Sequence, residues 1–376
     1  MAKNDNLHKA KDAKNDEFYT RIEDVAEELR HYKKHFAGKV VLCNCDDPTW
    51  SAFWRYFHLN FAELGLKKLI STHYDRTEPT YKMEYEGGDD NNVEVGVKTP
   101  LEGNGDFRNR ECLDLLDESD IVVTNPPFSL FREYVAVLMK HQKKFLILGN
   151  MNALTYKEIF PLVRDNQLWY GASIHSGDRK FYVPNDYPLK ASGCGVDNNG
   201  QKFIRVKGVR WYTNLDYKAR HEKLVLWKNY TPEEYPKYDN YDAINVNKYS
   251  EIPCDYDGVM GVPITFIDYY CPEQFEIVAF RKGNDGKDLV FTREREREFN
   301  RTFVSLYDID SWDDKKRRRQ NQWKAYLREN NNQTEIEAVD YFYPLSIKSR
   351  AAGTMNGLIN GKETYRRILI CKKAGT

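Results

Sequence analysis

Hydrophobic positions in the first half of the chain switch between two periods. Val25, Leu29, Tyr32 and Phe36 recur at helical spacing. Thr20 and Glu23 ahead of them fit a capping box, which predicts a helix entered at Thr20. "GKVVLCN" then reads as a short buried strand. Pro48 and Thr49 predict the start of a second helix, with Ala52, Phe53, Tyr56, Phe57, Phe61 and Leu64 on one face and Gly65 as its terminator. "KKLIST" is a second strand. From Glu84 to Gly105 the chain is rich in Gly, Asn and Asp, which predicts a long loop or loose hairpin. "ECLDLLDE" reads as a helix, "DIVVTN" as a strand, "FREYVAVLMKH" as a helix and "KKFLILGN" as a strand. "LTYKEIFPLV" and "QLWYGAS" continue the alternation. Strands alternating with helices predict an α/β domain around a mainly parallel sheet, in which ligands bind beyond the carboxyl ends of the strands.

The texture changes after "GVRWYTNLDY". Residues 216–280 are rich in Tyr, Asp, Pro and Asn, and residues 281–330 carry dense mixed charge. A boundary is expected near Asn214, separating 1–214 from 215–376, with a final strand around 364–371 packing back on the core. There is no internal repeat. No apolar run approaches the roughly 20 residues of a membrane helix. The amino-terminal segment is polar throughout and lacks the apolar core of an export signal. The seven cysteines are scattered, which fits a reducing cytoplasm. Net charge is zero, but local patches matter more than the sum, so a nucleic-acid partner stays possible.

The segment that carries chemistry is "NPPF", Asn125 to Phe128, directly after a buried strand. An Asn-Pro pair is also a common turn starter. Here it lies at the ligand-binding edge of the sheet. Pro126 and Pro127 stiffen the loop and have no N–H. The loop therefore presents acceptors, the Asn125 side-chain oxygen and the Pro126 carbonyl, beside the flat face of Phe128. That set suits a planar, amine-bearing group such as a nucleobase. The exocyclic amine of adenine is a poor nucleophile, because its lone pair is delocalised into the ring. Two acceptors that take both N–H protons favour a pyramidal nitrogen and stabilise the positive charge that develops on it.

"NPPF" in this position resembles motif IV of the S-adenosylmethionine-dependent amino-methyltransferases, and Asn in first place resembles the adenine-N6 enzymes. The strings "HKAKDAKNDEFYT", "VLCNCDDP", "LGLKKLI", "YPKYDNYDAINVN" and "IPCDYDGVMGVPITF" together resemble the EcoRI-type adenine-specific DNA methyltransferase family. The similarity runs from about residue 8 to 280 and returns at "AAGTMNGLINGKETYRRILI"; the stretch 283–345 has no matching block. The resemblance implies a Rossmann-like methyltransferase sheet with helices on both faces, followed by a carboxy-terminal target-recognition region.

It also implies roles. Phe18, Tyr19 and Thr20 resemble motif X, near the methionine end of the cofactor. Asn44, Cys45 and Asp46 stand where most such enzymes carry a glycine-rich turn; this chain has no glycine there. The Cys-x-Cys pair has no second pair at zinc spacing, so no metal is expected. Asp75 is the candidate for the ribose hydroxyls. Asp106 and Phe107 in "GDF" resemble motif III, which meets the cofactor's adenine. Lys315, Lys316, Arg317, Arg318 and Arg319, flanked by Trp312 and Trp323, form the densest basic-aromatic stretch and are candidates for contact with nucleic acid, against the plainer reading of a solvated helix face.

The expected protein is a cytoplasmic, bacterial or phage-encoded, site-specific methyltransferase. It would transfer methyl from S-adenosyl-L-methionine to N6 of an adenine flipped out of double-stranded DNA. A restriction endonuclease cutting the same site is a possible partner. The same turn also serves RNA guanine-N2 and protein glutamine-N5 methylation. A non-catalytic nucleic-acid-binding protein on a methyltransferase fold is the reading outside enzymes.

Overall fold

The computed structural model of the chain describes residues 18–75, 78–185, 187–189, 193–238, 242–280, 358–359 and 362–375. Lys315, Lys316, Arg317, Arg318 and Arg319, with the charged segments around them, lie outside the described residues. The chain forms two compact units, divided between Arg220 and His221. No helix among the described residues is long and apolar enough to cross a membrane.

The first unit opens with helix α1 (Ile22–Leu29) and strand β1 (Val40–Cys43). Val25, Leu29, Tyr32 and Phe36 are fully buried, as their spacing predicts. The capping box does not form. Arg21 is the N-cap residue, and the Thr20 hydroxyl is buried without a partner. The chain around Tyr19 is instead held by a two-way backbone bridge to Tyr182, so the helix starts later than the box requires.

Helix α2 (Ala52–Leu59) also starts later than Pro48 and Thr49 predict. Asp47 Oδ1 accepts from the Thr49 N–H and hydroxyl, which makes a turn, and Ser51 then caps the helix by accepting from the Trp54 N–H at 2.8 Å. A short helix α3 (Phe61–Leu64) follows a break at Asn60 and ends on Gly65 at φ +63°. Next come β2 (Lys68–Thr72), β3 (Tyr81–Tyr85) and β4 (Val97–Pro100). Helix α4 (Arg110–Glu118), β5 (Ile121–Thr124), α5 (Phe131–Lys140), β6 (Lys144–Asn150), α6 (Phe160–Arg164) and β7 (Trp169–Tyr170) continue the alternation. Strands β8 (Asp178–Tyr182), β9 (Gly195–Val196), β10 (Lys202–Lys207) and β11 (Val209–Thr213) complete the unit.

Among the described residues the main sheet has eight strands in the order β4-β3-β2-β1-β5-β6-β11-β7. Its centre, β2-β1-β5-β6, is parallel, and the flanking pairings are antiparallel. The sheet is therefore mixed rather than mainly parallel. The segment from Glu84 to Gly105 supplies part of a hairpin instead of a crossover, and antiparallel neighbours need only short connections. Val41, Cys43, Ile121, Val123, Leu146 and Leu148 share one cluster with α1 and α2, while Leu42, Val122, Phe145 and Ile147 are equally buried between them. Successive strand residues point to opposite faces, so the centre of the sheet is covered on both sides.

The order reverses between β1 and β5: the chain runs outward through β2 on one side and through β6 on the other. Such a reversal opens a crevice beyond the carboxyl ends of the two strands.

In the second unit β12 (Ile244–Asn245), β13 (Met260–Val262) and β14 (Phe275–Ala279) are joined by β17 (Ile368–Lys372), in the order β12-β13-β17-β14. A hairpin of β15 (Leu358–Ile359) and β16 (Lys362–Glu363) precedes the last strand. The strand expected to pack back on the core thus finds its partners within the second unit. Its buried Ile368, Leu369 and Ile370 sit between two antiparallel neighbours, which satisfy both of its edges.

Candidate active site

Three turns leave the carboxyl ends of β1, β2 and β5 at the reversal. The turn after β1 has no glycine, and Cys45 takes the left-handed conformation there, at φ +56°. Such a φ is uncommon without glycine and is held by its surroundings. Thr72, fully buried at the end of β2, supplies much of that hold. Its hydroxyl donates to Asn44 Oδ1 at 3.2 Å and accepts from the Cys45 N–H at 3.1 Å, and its carbonyl accepts from the Asp46 N–H at 2.9 Å. The Cys45 thiol turns back to Asn44 Oδ1 at 3.1 Å. The Asn44 carbonyl accepts from the Thr124 hydroxyl at 2.7 Å, which ties the turn to β5.

Asp46 accepts from the Ser51 hydroxyl at the head of α2. Burial pushes its carboxyl up to about 7, against the lowering effect of the Ser51 bond and with a further raise from neighbouring Asp47. Asp47 accepts from the Tyr81 hydroxyl at 2.8 Å.

The turn after β2 carries Asp75, whose Oδ1 accepts from the Glu78 N–H at 3.0 Å. Gly105 docks directly on this turn. At φ +73° a Cβ there would lie 2.2 Å from the His73 carbonyl oxygen, so only glycine permits the approach. Asp106 follows. Both of its oxygens accept from Arg108, at 2.9 Å from Nε and 2.6 Å from an Nη, and Arg108 also reaches Glu133 at 3.0 Å. The Arg108 backbone N–H adds a further bond to Oδ1 at 2.9 Å. Phe107 is buried and packs edge-on against Tyr134, with ring centroids 4.9 Å apart. It supports the turn from beneath.

After β5, Pro126 is buried and the chain enters a 3-10 turn at Phe128–Leu130. The Asn125 amide is oriented by one contact: its Nδ2 donates to the Phe18 carbonyl at 2.7 Å. A carbonyl cannot donate, so this bond decides which way the amide faces. Oδ1 is then turned the other way, screened from water and without a hydrogen-bond partner. An unpaired buried acceptor costs about 1–3 kcal/mol. Phe128 meets Phe18 edge-on at 6.0 Å, and Phe18 also touches Phe181 and Tyr187. Thr20 offers a second orphan, its buried hydroxyl.

Thus Phe18 and Asn125 are in contact, while Asn44, Cys45, Asp46, Asp75 and Asp106 sit on the turns of the neighbouring strands. Residues that sequence reasoning passed over are Thr72, Ser51 and Arg108. The signal for the first was a pair of small hydroxyl residues, Ser71 and Thr72, at the carboxyl end of a parallel strand.

The family described as adenine-specific methyltransferase EcoRI matches residues 6–373, which includes the stretch 283–345. The chain is 50% identical over 303 residues to the Type II methyltransferase M.EcoRI of Escherichia coli, covering 77% of this chain and 93% of that protein. It is 44% identical over 276 residues to the Type II methyltransferase M.MpnI of Mycoplasma pneumoniae, covering 72% and 84%. No solved structure matches it. With a match across nearly its whole length, and an NPPF turn at the reversal of an α/β sheet, the chain belongs to the adenine-specific methyltransferase EcoRI family.

Proposed function

We propose that the protein methylates N6 of adenine at a short specific site in double-stranded DNA, with S-adenosyl-L-methionine as donor. The observation that carries this reading is the Asn125 amide, pinned through Nδ2 so that Oδ1 is an unpaired acceptor. In this reading Asn125 Oδ1 and the Pro126 carbonyl take the two amine protons of adenine. The lone pair is freed, and the charge that develops on the nitrogen meets dipoles already in place. Pro127 holds the turn rigid. The excess proton leaves to water after transfer, so no strong base is needed.

The donor set of the crevice fits the cofactor. Asp75 suits ribose hydroxyls, Asp106 an adenine amine, and Asp46 with Asn44 a methionine ammonium. Cys45 lines the turn between them. The orphan Thr20 hydroxyl, with Phe18 and Tyr19, stands ready for the same end. When bound, the cofactor supplies an electrophilic methyl on a cationic sulfur.

Because Asn125 Oδ1 is screened from water, the groups around it must part before a base can reach it. Extruding a base costs a few kcal/mol, and stacking on Phe128 offsets roughly 1–3 kcal/mol of it. Target reading is assigned to the second unit and to the Lys315–Arg319 run, and a restriction endonuclease for the same site would be the partner activity.

The test is methylation-aware sequencing of DNA from a methylation-free host expressing the chain. N6-methyladenine in one fixed context is expected. Unmodified DNA together with cofactor turnover on RNA or protein would overturn the reading.

A further inference from the structure

The second sheet of the first unit, β8-β10-β9, has a face that the cofactor and catalytic turns do not use. In the β8-β10 ladder Phe181 pairs with Ile204, and both are buried in the core cluster. Paired residues share a face, and alternation then fixes the other one. It presents Lys180 opposite Arg205, Tyr182 opposite Phe203, and Asp178 opposite Lys207. Lys180 Nζ lies over two aromatic rings of this face, 4.7 Å from the Tyr182 centroid and 4.3 Å from that of Phe203. Arg205 and Lys207 are exposed. Two acids temper the charge: Asp197 is 3.5 Å from Lys180, and Asp178 is 3.9 Å from Arg205.

This face is joined to the catalytic turn by a short chain of contacts. Tyr182 exchanges both backbone hydrogen bonds with Tyr19, at 2.9 and 3.0 Å. The residue before it, Phe18, packs on Phe128 and holds the Asn125 amide through its carbonyl. The face itself lies across the sheet from Phe181, whose ring packs on Phe18. Exposed cations beside a lysine seated on aromatic rings match the chemistry of a nucleic-acid backbone, with phosphates on the cations.

We propose that this face grips the backbone of bound DNA, through Arg205 and Lys207 to phosphate, with Lys180 held in place over Tyr182 and Phe203. The proposal rests on the reading above and extends it: the unit that holds the catalytic turn also carries its own DNA contact. The contact is to the backbone, so it adds affinity without reading sequence.

The experiment uses the full chain and duplex DNA with and without the target site, by fluorescence anisotropy at several salt concentrations. Arg205→Ala with Lys207→Ala is expected to flatten the slope of log K against log salt by about 1.8, at roughly 0.9 per lost phosphate contact, and to weaken both duplexes alike. Cofactor affinity and melting temperature should hold, since both side chains are exposed. Neutralising Arg317, Arg318 and Arg319 in a separate variant gives the comparison for the second unit. An unchanged slope and affinity in the Arg205/Lys207 variant overturns the proposal while leaving the methyltransferase reading intact. A wild-type chain that binds no duplex DNA overturns both. Loss confined to the target duplex would mean base reading rather than a backbone grip, and overturns the proposal as stated.

Discussion

After β1 the chain turns on hydrogen bonds, and after β5 it turns on prolines. The first turn is saturated: Thr72, Ser71, Ser51 and Thr124 all donate into the main chain or side chains of residues 43–46, and Cys45 is held in a left-handed conformation by them. The second needs little help, because Pro126 and Pro127 set their own φ. A single side-chain bond, Asn125 Nδ2 to Phe18, orients its polar group and leaves the opposite oxygen unpaired. The difference separates two tasks. On the proposed function, the turn after β1 holds the cofactor and is stabilised by satisfying its groups. On the same reading, the turn after β5 keeps one group unsatisfied for the reacting atom, and rigid prolines let it do so without collapsing onto that group.

The sharpest break in this comparison is Asn125→Ala. On the proposed function it removes one of the two acceptors for the adenine amine, at a cost of about 2.7–4 kcal/mol, or roughly 10²–10³-fold in single-turnover rate. Cofactor affinity measured by calorimetry should barely move. Near-normal methylation by this variant would end the assignment.

Variants on the binding side should show the reverse split. Asp106→Ala or Asp75→Ala is expected to weaken S-adenosylmethionine binding by about 1.5–3 kcal/mol, the range for a hydrogen bond to a charged group. DNA affinity without cofactor should persist. If calorimetry finds both variants at wild-type affinity, the two acids leave the site.

Thr72→Val keeps the shape of a fully buried side chain and deletes the hydroxyl that braces Asn44 and Cys45. A loss of about 2 kcal/mol in unfolding free energy is expected, because the Cys45 N–H is left without its acceptor. Urea denaturation measures the difference, and an unchanged midpoint would show that the β1 turn is not held this way.

Asp46 gives the comparison a pH dependence. Its carboxyl is raised from the ordinary carboxylate range to about 7, so the folded chain binds a proton that the unfolded chain releases. Stability from this group is full below about pH 4 and is lost as pH rises through about 7. Asp46→Asn should remove a decline on the order of 1–2 kcal/mol between pH 5.5 and 8.5. Parallel stability profiles for the two proteins would contradict the shift.

The smallest effect is expected from Cys45→Gly. Glycine accepts φ +56° without strain, so a gain of up to about 1 kcal/mol from relief is opposed by the greater freedom of the unfolded chain. A slightly raised melting temperature is the expected outcome. A marked fall would mean that the thiol's contact with Asn44 outweighs the strain.

Much of this was legible in the amino-acid order. The buried strands at Val40–Cys43, Lys68–Thr72, Ile121–Thr124 and Lys144–Asn150 coincide with apolar runs bounded by turn residues, and the helix at Phe131–Lys140 follows its own periodicity. Those signals are local, since each depends on side chains a few positions apart. The NPPF acceptors were legible for the same reason: proline lacks an N–H wherever it stands.

Pairing over long distances was not. The antiparallel insertion of β11 between β6 and β7, and the capture of the last strand by β13 and β14, depend on which edges stand open once the rest has assembled. The Thr72 brace, the close approach of Gly105 to His73 and the facing of the Asn125 amide each join residues brought together only by the sheet. Composition and periodicity thus determined the elements and the polar groups on offer. Only tertiary structure decided which of those groups would be paired, because a hydrogen bond between distant segments exists only once the chain between them has folded.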